Sequence, residues 1–286
     1  MNQVSIRNIT VEIPSGWHEI NKRNLFYLAE RFPLVPTYGF SLYVFFHFLN
    51  LPSNIRLQWA IARNLILSKK LNRSWKNDAT IEFGEENIFE QEIIKEVNRL
   101  DNFNWLFEIG SIEKCLMDKF SFRFTKYYGS QERLCNVTAY EFYHSELFLL
   151  AFMEQKDEMM LNRLIATIWR EKGIETPNDI RISFNEFSLE KRAIKFSKLP
   201  KKIKIACLLN YIGMRNCFIN STNAKVIFDK SNTSGTSTQN WHTILMRLAE
   251  NSAFGNYHET KESYISDVVD YIADLKIREI EAKLKE

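Results

Sequence analysis

A chain of 286 residues, 45% of them apolar, is long enough for one large domain or two modest ones, and it has ample material for a core. Its 38 basic and 35 acidic side chains leave a net charge of +3, too weak a bias to imply a nucleic-acid partner by itself. With only 9 Gly and 6 Pro, tight turns are scarce, which favours long helices over many short strands.

At the start of the chain Val4, Ile6, Ile9, Val11 and Ile13 alternate with polar residues, with one slip of phase at Asn8. This pattern predicts a strand or a bulged hairpin edge, ended by Pro14-Ser15-Gly16. Asn21 is placed to cap a helix carrying Leu25, Leu28 and Phe32, stopped at Pro33. Helices are expected over residues 40–50, and after Ser53 or Asn54 with Ile55, Trp59, Ala62, Ile66 and Leu67 on one face. Residues 85–100 also read as helical, with Ile88, Ile93, Ile94 and Val97 inward. Residues 120–128 alternate like a strand.

The second half is clearer. Thr138-Ala-Tyr-Glu141 is an S/T-x-x-E capping box that opens a helix to about Gln155. Asp157 then caps another to about Arg170, and so short a link forces an antiparallel αα-hairpin. Residues 173–187 read as a loop with a short strand at 180–184, followed by a helix capped by Ser188. Pro200 suits the first turn of the next helix, which runs to about Phe218. A short strand is expected at 226–228, a Ser/Thr/Asn/Gly-rich loop at 231–239, a helix at 241–250, and a last helix over 263–286. The expected fold is therefore mainly α: a multi-helix globular protein with an αα-hairpin and a small β element near the N-terminus. Its lobes would be 1–130 and 131–286, the alternative being one single domain.

Four cysteines, Cys115, Cys135, Cys207 and Cys217, show neither a C-x-x-C pair nor metal-finger spacing, so free thiols in a reducing compartment are expected. Cys207 and Cys217 lie in an apolar stretch, as buried thiols do. Residues 1–8 have no apolar signal core. The most hydrophobic run, residues 40–51, falls short of the roughly 20 residues of a membrane span. A chain that is neither secreted nor membrane-bound is expected. The aromatic load of 22 Phe, 11 Tyr and 6 Trp serves packing first and partner contact second.

Chemistry-bearing motifs are sparse. The sequence has no G-x-G-x-x-G, no G-x-x-x-x-G-K-[ST], no G-x-S-x-G and no H-E-x-x-H. Glu141 and His144 share a helix face at i, i+3, with Glu146 two residues on, but a di-iron site needs a second such pair, so no metal and no cofactor is expected. His47 sits in an apolar run and reads as a satisfied core histidine. The most concentrated charge is Lys191, Arg192, Lys195, Lys198, Lys201, Lys202 and Lys204, seven bases with no acid between them. Lys191, Lys195, Lys198 and Lys202 would form one helical stripe able to hold phosphates, except that Leu199-Pro200 interrupts it; a solvated face is the plainer reading. In the last helix Ile265, Val268, Val269, Ile272 and Leu275 form a stripe for the body of the protein. Ile277, Ile280 and Leu284 continue it, shifted around the axis, and are candidates to meet a partner.

Several stretches resemble a group of proteins encoded by phages and prophages of Bacteroidetes bacteria. They are Val137-Thr-Ala-Tyr-Glu-Phe-Tyr-His, Leu161-Asn-Arg-Leu-Ile-Ala-Thr-Ile-Trp-Arg170, Lys198-Leu-Pro200 with Ile205-Ala206, and Tyr211-Ile-Gly-Met-Arg-Asn216. Trp241, Leu248-Ala249, Phe254-Gly255 and Tyr271-Ile272 fit the same group, as does the opening Ile13-Pro-Ser-Gly-Trp-His-Glu-Ile20. The resemblance covers most of residues 131–286 and none of 70–130. It implies a non-enzymatic role in tail or virion assembly, as a virion component or a tail assembly chaperone. The implied partners are other phage structural or tail proteins, and the implied location is the bacterial host cytoplasm or the virion. The alternatives are a nucleic-acid-binding accessory protein using 191–204 and a helical metal-carboxylate enzyme around Glu141 and His144.

Overall fold

The computed structural model describes residues 2–6, 9–32, 44, 47–48, 105–106, 108–173, 179–228 and 241–284. Two compact units divide at Met1–Ser111 and Ile112–Glu286.

In the first unit, β1 (Asn2–Ile6) and β2 (Ile9–Ile13) form an antiparallel hairpin with Val4 opposite Val11. The alternation thus belongs to two paired strands, with Ile6 opposite Ile9. Helix α1 (Lys22–Arg31) starts where Asn21 caps it, Oδ1 accepting from the Asn24 amide at 2.9 Å. Leu25, Leu28, Ala29 and Phe32 are buried with Trp17 and Ile20, and Trp105 meets the Trp17 ring edge-on at 5.3 Å. His47 stacks on Tyr27 and lies 3.4 Å from Asn24 Oδ1, while burial and the nearby Arg23 lower its pKa. It is a half-buried, ring-stacked histidine, less enclosed than the core position expected for it. Val44, His47 and Phe48 are helical. The rest of the helix read over 40–50, and those read over 53–67 and 85–100, lie outside the described residues.

The second unit is mainly helical and carries the larger β element, a three-stranded antiparallel sheet of order β3-β4-β5. This sheet lies mid-chain, not near the N-terminus. The single strand expected over 120–128 is a hairpin: β3 (Lys119–Phe122) turns back into β4 (Thr125–Tyr128) through Arg123 and Phe124, both at positive φ (46° and 65°). Two-residue turns of this hand ordinarily use Asn-Gly, so nothing in Arg-Phe announces one. Strand β5 (Arg170–Glu171) adds to β4, and Phe120 and Tyr127 pack their rings on Phe196. These contacts assign the hairpin to the second unit, so the division falls after Ser111 and not near residue 130.

The αα-hairpin is present. Helix α2 (Ala139–Gln155) is capped by Thr138, whose Oγ1 accepts from the Glu141 amide at 3.2 Å. Lys156, in the left-handed conformation, ends α2, and the next residue, Asp157, caps α3 (Glu158–Ile168). Helix α3 stops at Ile168, short of the expected Arg170, because residues 170–171 are claimed by the sheet. Helix α4 (Glu186–Phe196) starts earlier than expected, capped by Asn185 instead of Ser188. The strand read at 180–184 is reduced to a bridge between Lys172 and Arg181, with the Gly173 amide donating to Ile180 at 2.9 Å.

Helix α5 (Lys201–Ile219) runs through the middle of the unit with Cys207, Leu209, Tyr211 and Met214 buried. Asn210 on its buried face accepts from the amides of Leu116 and Met117, each at 2.7 Å, pinning that segment to the helix. Cys217 is only partly buried, its thiol 3.3 Å from the Glu113 carbonyl, and none of the four cysteines is in a disulfide. Residues 226–228, expected as a strand, end helix α6 (Thr222–Phe228), where Ala224 and Ile227 are buried and the helix packs on the last one. A helical face toward a helical neighbour here outweighs the weak strand preference of Val-Ile-Phe. Helix α7 (Trp241–Glu250) places Trp241 edge-on against Phe142 at 5.1 Å. A full capping box lies at Asn256/Glu259, opening the short α8 (Tyr257–Glu262), which separates from α9 (Ile265–Lys283) at Ser263.

Candidate functional site

Two places in the second unit gather functional side chains: a cleft of about 890 Å³ walled by ionised residues, and the far half of α9.

The cleft forms where the start of α2, strand β5 and residues 179–187 converge. Glu141 is held by the first turn of α2, and Arg170 by its pairing to Tyr128. Arg170 donates to Glu141 at 2.6 Å and to Asp179 at 3.4 Å. Arg181 donates to Asp179 at 2.8 Å, to Glu141 at 3.3 Å, and to the carbonyls of Ile168 (2.9 Å) and Asn136 (2.6 Å). Both arginine side chains are buried and two carboxylates balance them. Burial lowers the Arg170 pKa against the pull of Glu141. Burial opposes the charge on Arg181 too, but Glu141 and Asp179 outweigh it and the pKa stays raised. Glu141 therefore caps nothing with its side chain; the S/T-x-x-E motif supplies only its Thr138 half, because two buried guanidinium groups compete for the carboxylate.

On the rim, the Tyr140 hydroxyl donates to Glu186, and burial together with Glu186 pushes its pKa up. Lys261 lies 3.6 Å from the Tyr140 ring centre and 3.7 Å from Glu186. His144, one turn along α2, is enclosed by Tyr140, Phe148 and Phe184, and neither ring nitrogen has a hydrogen-bond partner. Burial lowers its pKa, with Lys261 adding to the shift and Glu186 opposing it. Glu146 points elsewhere: Arg215 donates to both of its oxygens at 2.6 and 2.7 Å, and Tyr211 donates at 3.0 Å. Glu141, His144 and Glu146 thus enter three separate environments, and among the described residues no His/Cys/Asp/Glu group is arranged to hold a metal ion.

The basic run is divided. Arg192 is buried, donating to the Ala166 carbonyl at 2.7 Å and lying 3.4 Å from Glu171. Lys195 sits 4.0 Å from Glu171 and over the Tyr127 ring. Lys204 is buried and donates to Glu158 and to the Ser197 carbonyl. Lys191, Lys198, Lys201 and Lys202 are exposed. The helix ends at Phe196 and resumes at Lys201, so Lys191 and Lys202 stand on different helices and the 4, 3, 4 spacing makes no continuous stripe.

Helix α9 changes character along its length. Ile265, Val268, Val269 and Ala273 are buried against the body, whereas Ile277, Ile280 and Leu284 are 40%, 46% and 81% exposed. Asp274–Arg278 (2.7 Å) and Glu279–Lys283 (2.6 Å) form i, i+4 ion pairs on this half. The sequence therefore locates this surface, but it gives no sign of the cleft. Glu141 meets residues 29 and 40 positions away, a distance beyond any local spacing rule. No described helix is long and apolar enough to cross a membrane. Compared with family models, curated proteins and solved structures, the chain matches none.

Proposed function

We propose that this chain is a non-enzymatic assembly protein of a tailed bacteriophage, acting in tail or virion assembly as a virion component or a tail assembly chaperone. The observation that carries the reading is the far half of α9, which holds Ile277, Ile280 and Leu284 in water while its first half is anchored to the body. A helix built this way offers an apolar face to another protein subunit. The resemblance of residues 131–286 to Bacteroidetes phage and prophage proteins supplies the kind of subunit: another structural or tail protein, met in the host cytoplasm or in the particle. The cleft supports the same view. Glu141, Asp179, Arg170 and Arg181 neutralise one another, and groups so committed hold a fold together before they serve a reaction.

Nucleic-acid binding through 191–204 has less behind it, since Arg192, Lys195 and Lys204 are spent on Glu171 and Glu158. Inactivating the gene in an inducible prophage that encodes the chain tests the proposal. Electron microscopy of the lysate should show heads without finished tails, and mass spectrometry of complete particles then separates virion component from chaperone. Normal tails and an unchanged infective titre would refute it.

A further inference from the structure

We infer that the far half of α9 self-associates, pairing in parallel with α9 of further copies of this chain as a short coiled coil. The inference rests on the preceding reading only in treating this surface as a protein contact.

Ala273, Ile277, Ile280 and Leu284 are spaced 4, 3 and 4, the a/d repeat of a coiled-coil seam. At 3.6 residues per turn they fall within about 60° of one another around the axis. Ala273 is covered by the body, so the open seam begins at Ile277. Leu275, on the other side of the helix about 160° from Ile277, takes no part.

Charge decides both the occupant and its direction. With Ile277 and Leu284 at a and Ile280 at d, Lys276 and Lys283 occupy g, and Asp274 and Glu281 occupy e. Between parallel copies each g residue faces the e residue five positions on, which sets Lys276 beside Glu281 of the next helix, and the reverse around the axis. Antiparallel copies would set lysine against lysine and carboxylate against carboxylate. The chain is thus complementary to itself in one direction. In the isolated chain Lys276 donates to the Val226 carbonyl at 2.8 Å, and an ammonium with three donors can keep that bond while meeting Glu281. Ile at both a and d favours three strands over two. Three layers make a small interface, so the association is weak and concentration-dependent.

Sedimentation of the full chain over a wide concentration range is expected to show mass rising reversibly toward three copies. Ile280→Asp, on a solvated part of the helix where folding is unaffected, should lower the associated fraction by about tenfold or more, because it buries a charge in the seam. Direction is read by disulfide formation in a Cys135→Ser background. Leu284→Cys should cross-link well ahead of Arg278→Cys on the outer face. Antiparallel helices overlapping over 277–280 would hold the two 284 positions about 16 Å apart at 1.5 Å per residue. A mass that stays monomeric to near-millimolar concentration, or cross-linking no faster at 284 than at 278, overturns the inference. If Ile280→Asp nonetheless blocks tail formation in the phage, the assembly role stands with a different partner.

Discussion

The Arg170 guanidinium donates to the Glu141 carboxylate across 2.6 Å, with both side chains sealed from solvent at 0% and 2% exposure. This contact ties the first turn of α2 to strand β5, and with Arg181 and Asp179 it closes one end of the cleft. Two buried charges that cancel are stable together and costly apart. Glu141→Gln or Arg170→Met should each lower unfolding free energy by about 3–5 kcal/mol, the cost of stranding a buried charge. Denaturant titration followed by circular dichroism measures it. A loss below 1 kcal/mol would show that the pair is not held in the dry environment described.

The β3–β4 turn is a place where the chain is destabilised and can be improved. Arg123 and Phe124 both occupy positive φ, where a Cβ is unfavourable, and Phe124 is fully exposed. Arg123→Asn with Phe124→Gly should raise stability by about 1 kcal/mol, since Asn-Gly is the pair that turn of this hand prefers. A higher urea midpoint at constant m-value is the expected readout.

His144 makes stability depend on acidity. Its folded pKa lies below the ordinary value of about 6.5, so the unfolded chain binds the proton more readily. The contribution is present above pH about 6.5 and is lost progressively as pH falls toward the folded value. His144→Phe, which fills the aromatic enclosure without a titrating group, should flatten the stability curve on the acid side of 6.5. An unchanged acid slope in that variant would show that His144 is solvated. Tyr211 acts at the other extreme: buried and bonded to Glu146, its pKa is raised well above 10, so the stability it gives persists below pH about 10 and declines above it.

Nucleic-acid binding through residues 191–204 is limited by how many of the bases remain exposed. Four of the seven lysines and arginines do: Lys191, Lys198, Lys201 and Lys202. A filter-binding titration on duplex DNA should therefore show no retention at physiological salt. At low salt its log–log slope should be no steeper than about −4, at 0.9 ion per phosphate contact. A steeper slope would mean that Arg192, Lys195 or Lys204 leaves its carboxylate for the nucleic acid.

Asn210 offers a direct test of how residues 112–117 are held. Its Oδ1 serves the Leu116 and Met117 amides inside the protein. Asn210→Leu leaves two buried amides without an acceptor and should cost about 2–4 kcal/mol. Hydrogen exchange of those two amides should rise with it.

What the sequence determined by itself was local. Asn21 and Asp157 cap helices where their spacing says they do, Pro200 precedes α5, and Ile265, Val268 and Val269 of the α9 stripe face the body, although Leu275, expected with them, is 45% exposed. Each of these follows from contacts within one or two turns, which a single stretch of chain encodes. Tertiary structure alone decided the rest. Whether Glu141 capped its helix or neutralised arginines depended on residues 170 and 181, and whether 226–228 became strand or helix depended on the neighbouring α9. The same held for the basic run, where Glu158 and Glu171 from other elements withdrew three of its charges. Charges act through space on whatever the fold brings near, and no spacing along the chain records that.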